Sequence, residues 1–318
     1  MLMVSSASQR AHPTRLDERV QHPRMTLSIP ALATCLAEQW EISTPSITSH
    51  DRGMNSRTWF VSDGEGRYVA KAVPAHAHRR FVSGLAVASH VQAAGIPAGA
   101  AVPTRDGRPF VQGDGHTLAL LGFVAGSALL GESEAEQRII GTTLSRAHRA
   151  LIGGTVPDAD RFHWIDPRAE HLGIRDWVRP AVVDALETWE RLSPQSLTWG
   201  LLHTDPAPEA FLFDSETGTC GLIDWDTGMI GPLMYDLASA VMYVGGTNQA
   251  SRLISAYLDD QLLQTSEVER TLEPMLRFRW AVQADYFARR INTSDLTGIQ
   301  GPDENEQGLE DARVALMP

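Results

Sequence analysis

Two apolar runs in the C-terminal half of the chain each end in a carboxylate, and this pair constrains the fold more than any other feature. The first run, 201–205, ends at Asp205, and the second, 221–226, carries Asp224, 19 residues further along. Between them, 211–218 has the pattern of a strand followed by a turn. One acid is therefore expected before a hairpin and the other at the end of its second strand, both at one edge of a small sheet.

Phosphoryl transfer needs such a pair of acids. One carboxylate receives a hydroxyl proton, and the other holds the magnesium on the nucleotide phosphates. We interpret Asp205 as the catalytic carboxylate, with His203 bracing its loop through hydrogen bonds. We interpret Asp224 as the magnesium ligand, because this ion prefers carboxylate and phosphate oxygens. The alternative for each acid is a turn or helix cap.

Size and composition are those of an ordinary protein with two lobes. The chain has 318 residues, of which 43% are hydrophobic and 21% are charged, enough for two separate cores. Cys35 and Cys220, its two cysteines, have neither metal-type nor disulfide-type spacing, so a reducing cytoplasm is expected. The sequence contains no apolar run long enough to span a bilayer, so no membrane partner is predicted.

The charge of the chain bears on its partners. A net charge of −12 and a pI of about 5.3 argue against a nucleic-acid partner, which would need a basic surface. This acidity is compatible with a cationic small-molecule substrate drawn to an acidic cleft. It is equally compatible with a surface charge that only maintains solubility.

The order of sequence patterns predicts an α+β fold with two lobes. Residues 1–24 are polar and have the character of a disordered leader, with Met25 as an alternative start. Strands with one helix then occupy a β-rich N-lobe over 25–125. Helices dominate a C-lobe over 126–318, with the hinge near Gly122–Gly126.

Individual elements of the N-lobe have clear signals. A helix is expected from Ser28 with Pro30 through Trp40. The β-branched and aromatic stretches 57–61 and 67–73 form a hairpin. Apolar residues at helical spacing then predict a helix over 76–94.

The catalytic segment resembles the aminoglycoside phosphotransferase family, which is kin to choline kinases and distantly to protein kinases. The family loop reads roughly His-Gly-Asp-Leu-His-Pro-Gly-Asn, followed later by Ile-Asp-Trp. The corresponding segments here are 203–210 and 223–225, followed by 231–232 and 235–238. The similarity extends from about residue 40 to 290. It implies a kinase-like fold that uses ATP or GTP with Mg²⁺.

The resemblance also assigns residues to the nucleotide. Lys71 lies in an apolar strand, where an amine is costly to bury without an anion. The family uses this lysine on the α- and β-phosphates; the alternative is a lysine that protects a sheet edge. Gly53, Asn55 and Ser56 resemble the family's phosphate-covering loop, although such residues also form ordinary hairpins.

Two departures from the family pattern stand out. The second metal ligand of the family is an Asn, and Ala210 stands at that position. Either Glu209 supplies the missing oxygen or the site holds a single magnesium. The family also pairs its lysine with a Glu on the following helix, but 76–94 contains no acid. Lys71 is therefore either unpaired until nucleotide binds or held by an acid from elsewhere.

Several other residues receive structural roles. Asp236 is interpreted as a brace for the catalytic loop, and His148 and Trp280 as packing residues. The acidic run 303–311 either meets amino groups of a substrate, as the family's C-terminal helices do, or is a solvated helix start.

The resemblance implies a small-molecule kinase that phosphorylates a hydroxyl group, with an aminoglycoside or another antibiotic as acceptor. A metabolic kinase for choline, homoserine or a sugar-like alcohol is the second hypothesis. A pseudokinase that binds nucleotide or ligand without transfer is the third, favoured by the missing Asn and Glu. The sequence does not indicate an oligomeric state.

Overall fold

The computed structural model of the protein describes residues 28–50, 56–163, 165–225 and 228–317. The leader predicted for residues 1–24 lies outside these ranges.

A five-stranded antiparallel sheet forms the N-lobe, in the order β1-β2-β3-β5-β4. The N-lobe elements are α1 (Ile29–Trp40), β1 (Ser46–His50), β2 (Arg57–Ser62), β3 (Arg67–Pro74), α2 (His78–Ala93), β4 (Val111–Gly113) and β5 (His116–Gly122). The predicted hairpin is β2–β3, and the predicted helix over 76–94 is α2, preceded by a short 3-10 turn at Ala75–Ala77.

Helix α1 covers one face of this sheet. The Ser28 hydroxyl accepts a hydrogen bond from the Ala31 amide at 3.3 Å, which caps the first turn. Leu32 and Leu36, four residues apart, then point to the same side of the helix and are fully buried. They share a core with Trp59 of β2. This apolar contact fixes α1 on the sheet.

Helix α2 packs with the C-lobe as well as with its own sheet. Val87, Ala88 and Val91 belong to the large core that the C-lobe helices form. Phe81 and Leu85, near the start of α2, pack instead with Ala119 and Val73 of the sheet. The helix therefore joins the two lobes through apolar contacts.

The C-lobe is mainly helical. Its helices are α3 (Glu134–Leu151), α4 (Val178–Arg191), α5 (Met234–Tyr243), α6 (Ser251–Leu258), α7 (Thr265–Asn292) and α8 (Pro302–Leu316). A capping box starts α3: the Ser133 hydroxyl accepts from the Glu136 amide, and the Glu136 carboxylate accepts from the Ser133 amide. In the described part of the chain, no helix is long and apolar enough to cross a membrane.

Two three-stranded sheets interrupt the C-lobe helices. One has the order β10-β9-β6 and the other β7-β11-β8. The strands are β6 (Ser127–Ala128), β7 (Asp160–Arg161), β8 (Trp199–Leu202), β9 (Phe211–Asp214), β10 (Thr219–Leu222) and β11 (Met229–Pro232). The predicted hairpin is β9–β10. The expectation of a single small sheet is wrong, since β8, before Asp205, pairs with β11 and not with the hairpin.

The connection between the lobes passes close to the catalytic hairpin. Gly126 has φ +125°, and a Cβ at this position would lie 2.6 Å from the carbonyl carbon of Phe213 in β9. Only glycine fits so near another backbone in this conformation. The hinge role predicted for Gly126 stays a prediction.

Candidate active site

A cleft of about 1920 Å³ collects residues from both lobes, among them four of the eight predicted site residues. Ser56 and Ala72 line it from the N-lobe, and His203, Asp205 and Asp224 line it from the C-lobe. The loop after β8 and the end of β10 therefore open on the same space, although they belong to different sheets. The two acids singled out by their spacing in the sequence share one cleft.

The catalytic loop is anchored through its backbone by Asp236. This fully buried carboxylate accepts hydrogen bonds from the His203 amide at 2.6 Å and the Thr204 amide at 2.8 Å. His148 Nε2 lies 3.0 Å from the same carboxylate, and His148 Nδ1 lies 2.7 Å from the Tyr257 hydroxyl. These hydrogen bonds are consistent with the bracing role predicted for Asp236. His148, predicted to be a packing residue, also supports this network.

His203 connects the catalytic loop to the strand that precedes the second acid. Its Nε2 donates to the Ile223 carbonyl oxygen at 2.8 Å, and its Nδ1 accepts from the Asp205 amide at 3.3 Å. The ring is 2% exposed and packs edge-on against Trp225. Both ring nitrogens are engaged, so the geometry supports a bracing role for His203 and not proton transfer.

Asp205 faces the cleft, where two C-lobe side chains hold it. Its side chain is 62% exposed. Oδ1 accepts from Arg279 Nη2 at 2.9 Å and from the Tyr243 hydroxyl, which in turn accepts from Arg279 Nη2 at 2.9 Å. Desolvation raises the pKa of the Tyr243 phenol, with Arg279 opposing and Asp205 reinforcing this shift. The phenol therefore stays protonated at neutral pH, and its O–H donates a hydrogen bond to Asp205.

Lys71 and Asp224 form an ion pair across the two lobes. Lys71 lies in β3, the central strand of the N-lobe sheet, and is 7% exposed. The alternative of an edge-strand lysine is therefore wrong. Its Nζ contacts Asp224 Oδ1. The sequence allowed Lys71 either to be unpaired before nucleotide binds or to pair with an acid outside α2. The structure shows the second arrangement, and the acid is Asp224, the predicted metal ligand.

Asp224 is accessible for a metal. Its side chain is 58% exposed, and its φ of 72° is uncommon for a residue with a side chain. Magnesium is usually held by one or two carboxylates together with phosphates and water. Asp224 fits this donor set. Among the described residues, no group of three or more His, Cys, Asp or Glu side chains is arranged to hold a metal.

Helix α2, which contains no acid, bonds to the C-lobe through two arginines and a serine. Arg80 Nε lies 2.9 Å from Asp160 Oδ2, and Arg79 contacts the other oxygen of this carboxylate. The Ser83 hydroxyl accepts from the Gly228 amide at 2.9 Å. These bonds attach α2 to β7 and to the segment after Asp224. Helix α2 is thus anchored to the C-lobe, and the acid that contacts Lys71 within the described residues is Asp224, which lies outside this helix.

The remaining predicted residues have different outcomes. Gly53 and Asn55 lie outside the described residues, while Ser56 lines the cleft. Glu209 is exposed and is not among the residues that line the cleft. Its role as a metal ligand stays a prediction that this geometry does not support. Neighbouring Ala210 is buried.

The C-terminal acidic run is divided between the cleft and the surface. Glu304 and Asp311 of α8 line the cleft. Glu306 pairs with Arg175 at 3.0 Å, and Glu310 pairs with Arg313 of the same helix. Glu304 and Asp311 are therefore placed where a substrate could meet them, and their contact with its amino groups stays a prediction.

Sequence reasoning missed Tyr243 and Arg279. Tyr243 is the last residue of α5, seven positions after Asp236. Arg279 falls on the apolar side of α7, four residues after Met275 and seven after Leu272, both of which are buried. A charged residue at a position where helical spacing requires an apolar one was the available signal.

Two curated relatives share part of this sequence. Homoserine kinases from Methylobacillus glycogenes and Methylobacillus flagellatus are each 26% identical to the chain, over 215 and 193 residues. These matches cover 65% and 59% of this chain, and 67% and 60% of the two kinases. The chain thus spans less than two thirds of the second relative.

Solved structures share the fold at low identity. The amicoumacin kinase hAmiN, in complex with AMP-PNP, Ca²⁺ and Ami, aligns with a TM-score of 0.70 at 13% identity, covering 91% of this chain and 92% of hAmiN. A choline/ethanolamine kinase family protein from Mesorhizobium loti aligns with a TM-score of 0.66 at 12% identity, covering 91% of this chain and 95% of that protein. Spectinomycin phosphotransferase APH(9)-Ia, in complex with ADP and spectinomycin, aligns with a TM-score of 0.62 at 12% identity, covering 92% of this chain and 99% of that enzyme.

The predicted α+β fold and family are both confirmed. The N-terminal antiparallel sheet and the helical C-lobe match the architecture of these kinases. The phosphotransferase enzyme family, APH, matches residues 46–274, which is more than half of the chain. The protein therefore belongs to the phosphotransferase enzyme family and is a small-molecule kinase.

Proposed function

We propose that the protein transfers the γ-phosphoryl group of ATP to a hydroxyl of a small molecule in the cleft between its lobes. One observation carries this proposal: Asp205 and Asp224 line the same cleft, and Lys71 reaches Asp224 from the opposite lobe. This arrangement places a carboxylate for the acceptor, a carboxylate for a metal and a cation for phosphates around one space.

Asp205 would act on the acceptor. Its exposed carboxylate orients the attacking hydroxyl and receives the proton as the new bond from oxygen to phosphorus forms and the bond to the ADP oxygen breaks. The backbone bonds from Asp236 keep the loop in place while this happens. His203 contributes as a positioning residue.

Lys71, Ser56 and Asp224 would act on the nucleotide. Mg²⁺, when bound, neutralises charge on the phosphates, and Asp224 is the carboxylate suited to hold it. Lys71 is 7% exposed, so its amine pairs either with Asp224 or with a phosphate. Nucleotide binding would therefore move the lysine from the carboxylate to the phosphates.

Homoserine is the first acceptor to examine, because both curated relatives are homoserine kinases. An antibiotic is the second, supported by the fold shared with spectinomycin phosphotransferase and hAmiN. A direct test measures ADP release from Mg-ATP with homoserine, choline, spectinomycin and an aminoglycoside. The proposal requires acceptor-dependent ADP release that Asp205→Asn abolishes. Mg-ATP binding without release for any acceptor would favour the pseudokinase hypothesis.

A further inference from the structure

A buried guanidinium lies beside the carboxylate that is proposed to orient the acceptor. Arg279 is 7% exposed, belongs to α7 and lines the cleft. Its Nη2 donates to Asp205 Oδ1 and to the Tyr243 hydroxyl, both at 2.9 Å. The guanidinium carbon Cζ also lies 5.5 Å from the centre of the Tyr243 ring.

Most of the hydrogen-bonding capacity of this arginine is unused. A guanidinium carries five N–H donors, and Nη2 supplies the two that are engaged. Arg279 Nε is buried without a hydrogen-bond partner, and no bond from Nη1 is found within the described part of the chain. A buried donor without an acceptor is costly, and guanidinium N–H groups make strong hydrogen bonds to carboxylate oxygens. Arg279 therefore has donor capacity left, beyond its pair with Asp205, for an oxygen acceptor in the cleft.

A kinase cleft can receive two kinds of anion, the phosphates of the nucleotide and an anionic group of the acceptor. The position of Arg279 indicates which of the two it binds. The predicted phosphate contacts, Lys71 and Ser56, come from the N-lobe. Arg279 comes from α7 of the C-lobe, and its neighbours Trp280 and Gln283 line the same cleft. The arginine thus approaches Asp205 from the wall that is available to the acceptor.

We propose that Arg279 determines acceptor specificity by binding a carboxylate of the acceptor, which is therefore a short hydroxy acid or hydroxy amino acid. This inference rests on the proposed function. The hydroxyl binds Asp205 and the carboxylate binds the adjacent guanidinium, so the two groups of one acceptor lie within about 10 Å of each other. Acceptors with only cationic groups, such as choline, would place like charge near Arg279.

The test compares acceptors that differ only in the carboxylate. Homoserine and its primary amide share the same hydroxyl and nearly the same size. We expect the wild type to prefer the acid by about 100-fold or more in kcat/KM, because a site built for a hydrogen-bonded group rejects an analogue without it. Arg279→Gln should remove most of this preference by raising the KM of the acid. A fall in kcat shared by both acceptors is expected as well, because the variant loses the bond from Arg279 Nη2 to Asp205. Arg279→Lys should retain part of the preference.

A matched control and a second measurement protect the test against a folding defect. Arg277 lies two residues away on the same helix and pairs with Asp184 at the surface, so Arg277→Gln should leave the preference unchanged. Calorimetric binding of homoserine and its amide, with Mg-AMP-PNP present, measures the carboxylate contribution without any transfer. If Arg279→Gln does not fold, the acid preferences of the wild type and of Arg279→Lys in both assays test the carboxylate site.

Three results would overturn the proposal. A loss of activity by the same factor for both acceptors in Arg279→Gln, with the acid preference intact, would confine the arginine to holding Asp205. A lower melting temperature with the acid preference intact would leave it a structural role. A wild type that phosphorylates choline or an aminoglycoside better than any hydroxy acid would also refute it. Preferential binding of homoserine without any ADP release would support the carboxylate site and contradict the proposed transfer.

Discussion

The catalytic loop and the Lys71–Asp224 pair carry the two acids of the site, but they are held in different ways. Asp236, 0% exposed, fixes the loop through two backbone amides and His148. The ion pair instead joins a buried lysine to an aspartate side chain that is 58% exposed. The first arrangement needs no ligand, whereas the second occupies the two groups that we propose for nucleotide and metal. On the proposed function, the acceptor half of the site is preset, and the nucleotide half has to exchange partners.

Solvent exposure explains why the two halves respond differently to perturbation. A buried carboxylate with several donors leaves all of them unsatisfied when it is changed. A pair with one exposed partner is screened by water and contributes little to stability. Changes in the Asp236 network should therefore affect folding and turnover, and changes at Lys71 should affect mainly the nucleotide.

The largest expected effect is the loss of turnover in Asp205→Asn. An amide cannot accept the hydroxyl proton, so kcat should fall by roughly 10²-fold or more, the scale of general acid–base contributions. Affinity for Mg-ATP should stay within about threefold of wild type. Steady-state ADP release with a saturating acceptor measures the first quantity and calorimetry the second. A variant with more than a tenth of wild-type turnover would remove Asp205 from its assigned role.

Asp236→Asn should come next, because it disturbs both folding and catalysis. The amide group of Asn cannot accept all the bonds that His203, Thr204 and His148 donate, so the free energy of unfolding should fall by about 2–3 kcal/mol. Turnover should fall with it. Urea unfolding with Asp184→Asn as control tests this, since Asp184 pairs with Arg277 at the surface and should cost less than about 0.5 kcal/mol. Equal effects for the two variants would contradict the buried network.

Lys71→Met should weaken nucleotide binding while leaving the stability of the fold nearly unchanged. The methionine has a similar volume and no charge, so we expect Mg-ATP affinity to fall by about 10- to 100-fold. The free energy of unfolding should change by less than about 1 kcal/mol. Arg105→Gln, which breaks an exposed N-lobe pair with Glu41, is the control for both quantities. Unchanged nucleotide affinity would exclude Lys71 from the phosphate site.

Tyr243→Phe should change how the free energy of unfolding depends on pH. The folded state raises the pKa of this phenol, so the stability it contributes is fully present below about pH 10 and is lost as pH rises further. Wild type should therefore lose stability more steeply above pH 10 than Tyr243→Phe. Because Tyr243 is 36% exposed, water screens part of this effect, and the difference in slope should stay well below the one-proton limit of about 1.4 kcal/mol per pH unit. Urea unfolding at pH 8, 10 and 11 measures the slopes. Parallel curves would show that the phenol titrates alike in both states.

The smallest expected effects concern the departures from the family loop. Glu209 is exposed and does not line the cleft, so Glu209→Ala should change the magnesium dependence of turnover by less than about twofold. Ala210→Asn restores an oxygen donor and should raise magnesium affinity modestly. A magnesium titration of both variants provides the check. A large loss in Glu209→Ala would mean that this carboxylate turns in when the metal binds.

Local sequence patterns predicted much of the fold. Ser28 and Pro30 predicted the start of α1, and alternating β-branched residues with a glycine turn predicted the β2–β3 hairpin. The spacing of Asp205 and Asp224 predicted acids that meet in one place. These features depend on neighbours in sequence, and local chemistry determines them.

Partners distant in sequence could not be read in the same way. Lys71 and Asp224 are 153 residues apart, and Asp205 and Arg279 are 74 apart. Which acid replaces the missing glutamate of α2 depends on how the lobes pack. The pairing of β8 with β11 is likewise a matter of tertiary contact, so the single small sheet expected from the sequence becomes two.

Calorimetric titration of ATP, with and without Mg²⁺, into wild type, Asp205→Asn and Asp224→Asn tests the division between the two halves most directly. The account predicts that Asp205→Asn binds Mg-ATP as wild type does, because its loop is preset and its carboxylate is assigned to the acceptor. Asp224→Asn should bind ATP equally with and without Mg²⁺, since the metal has lost its carboxylate. Identical behaviour of the two variants would contradict the account.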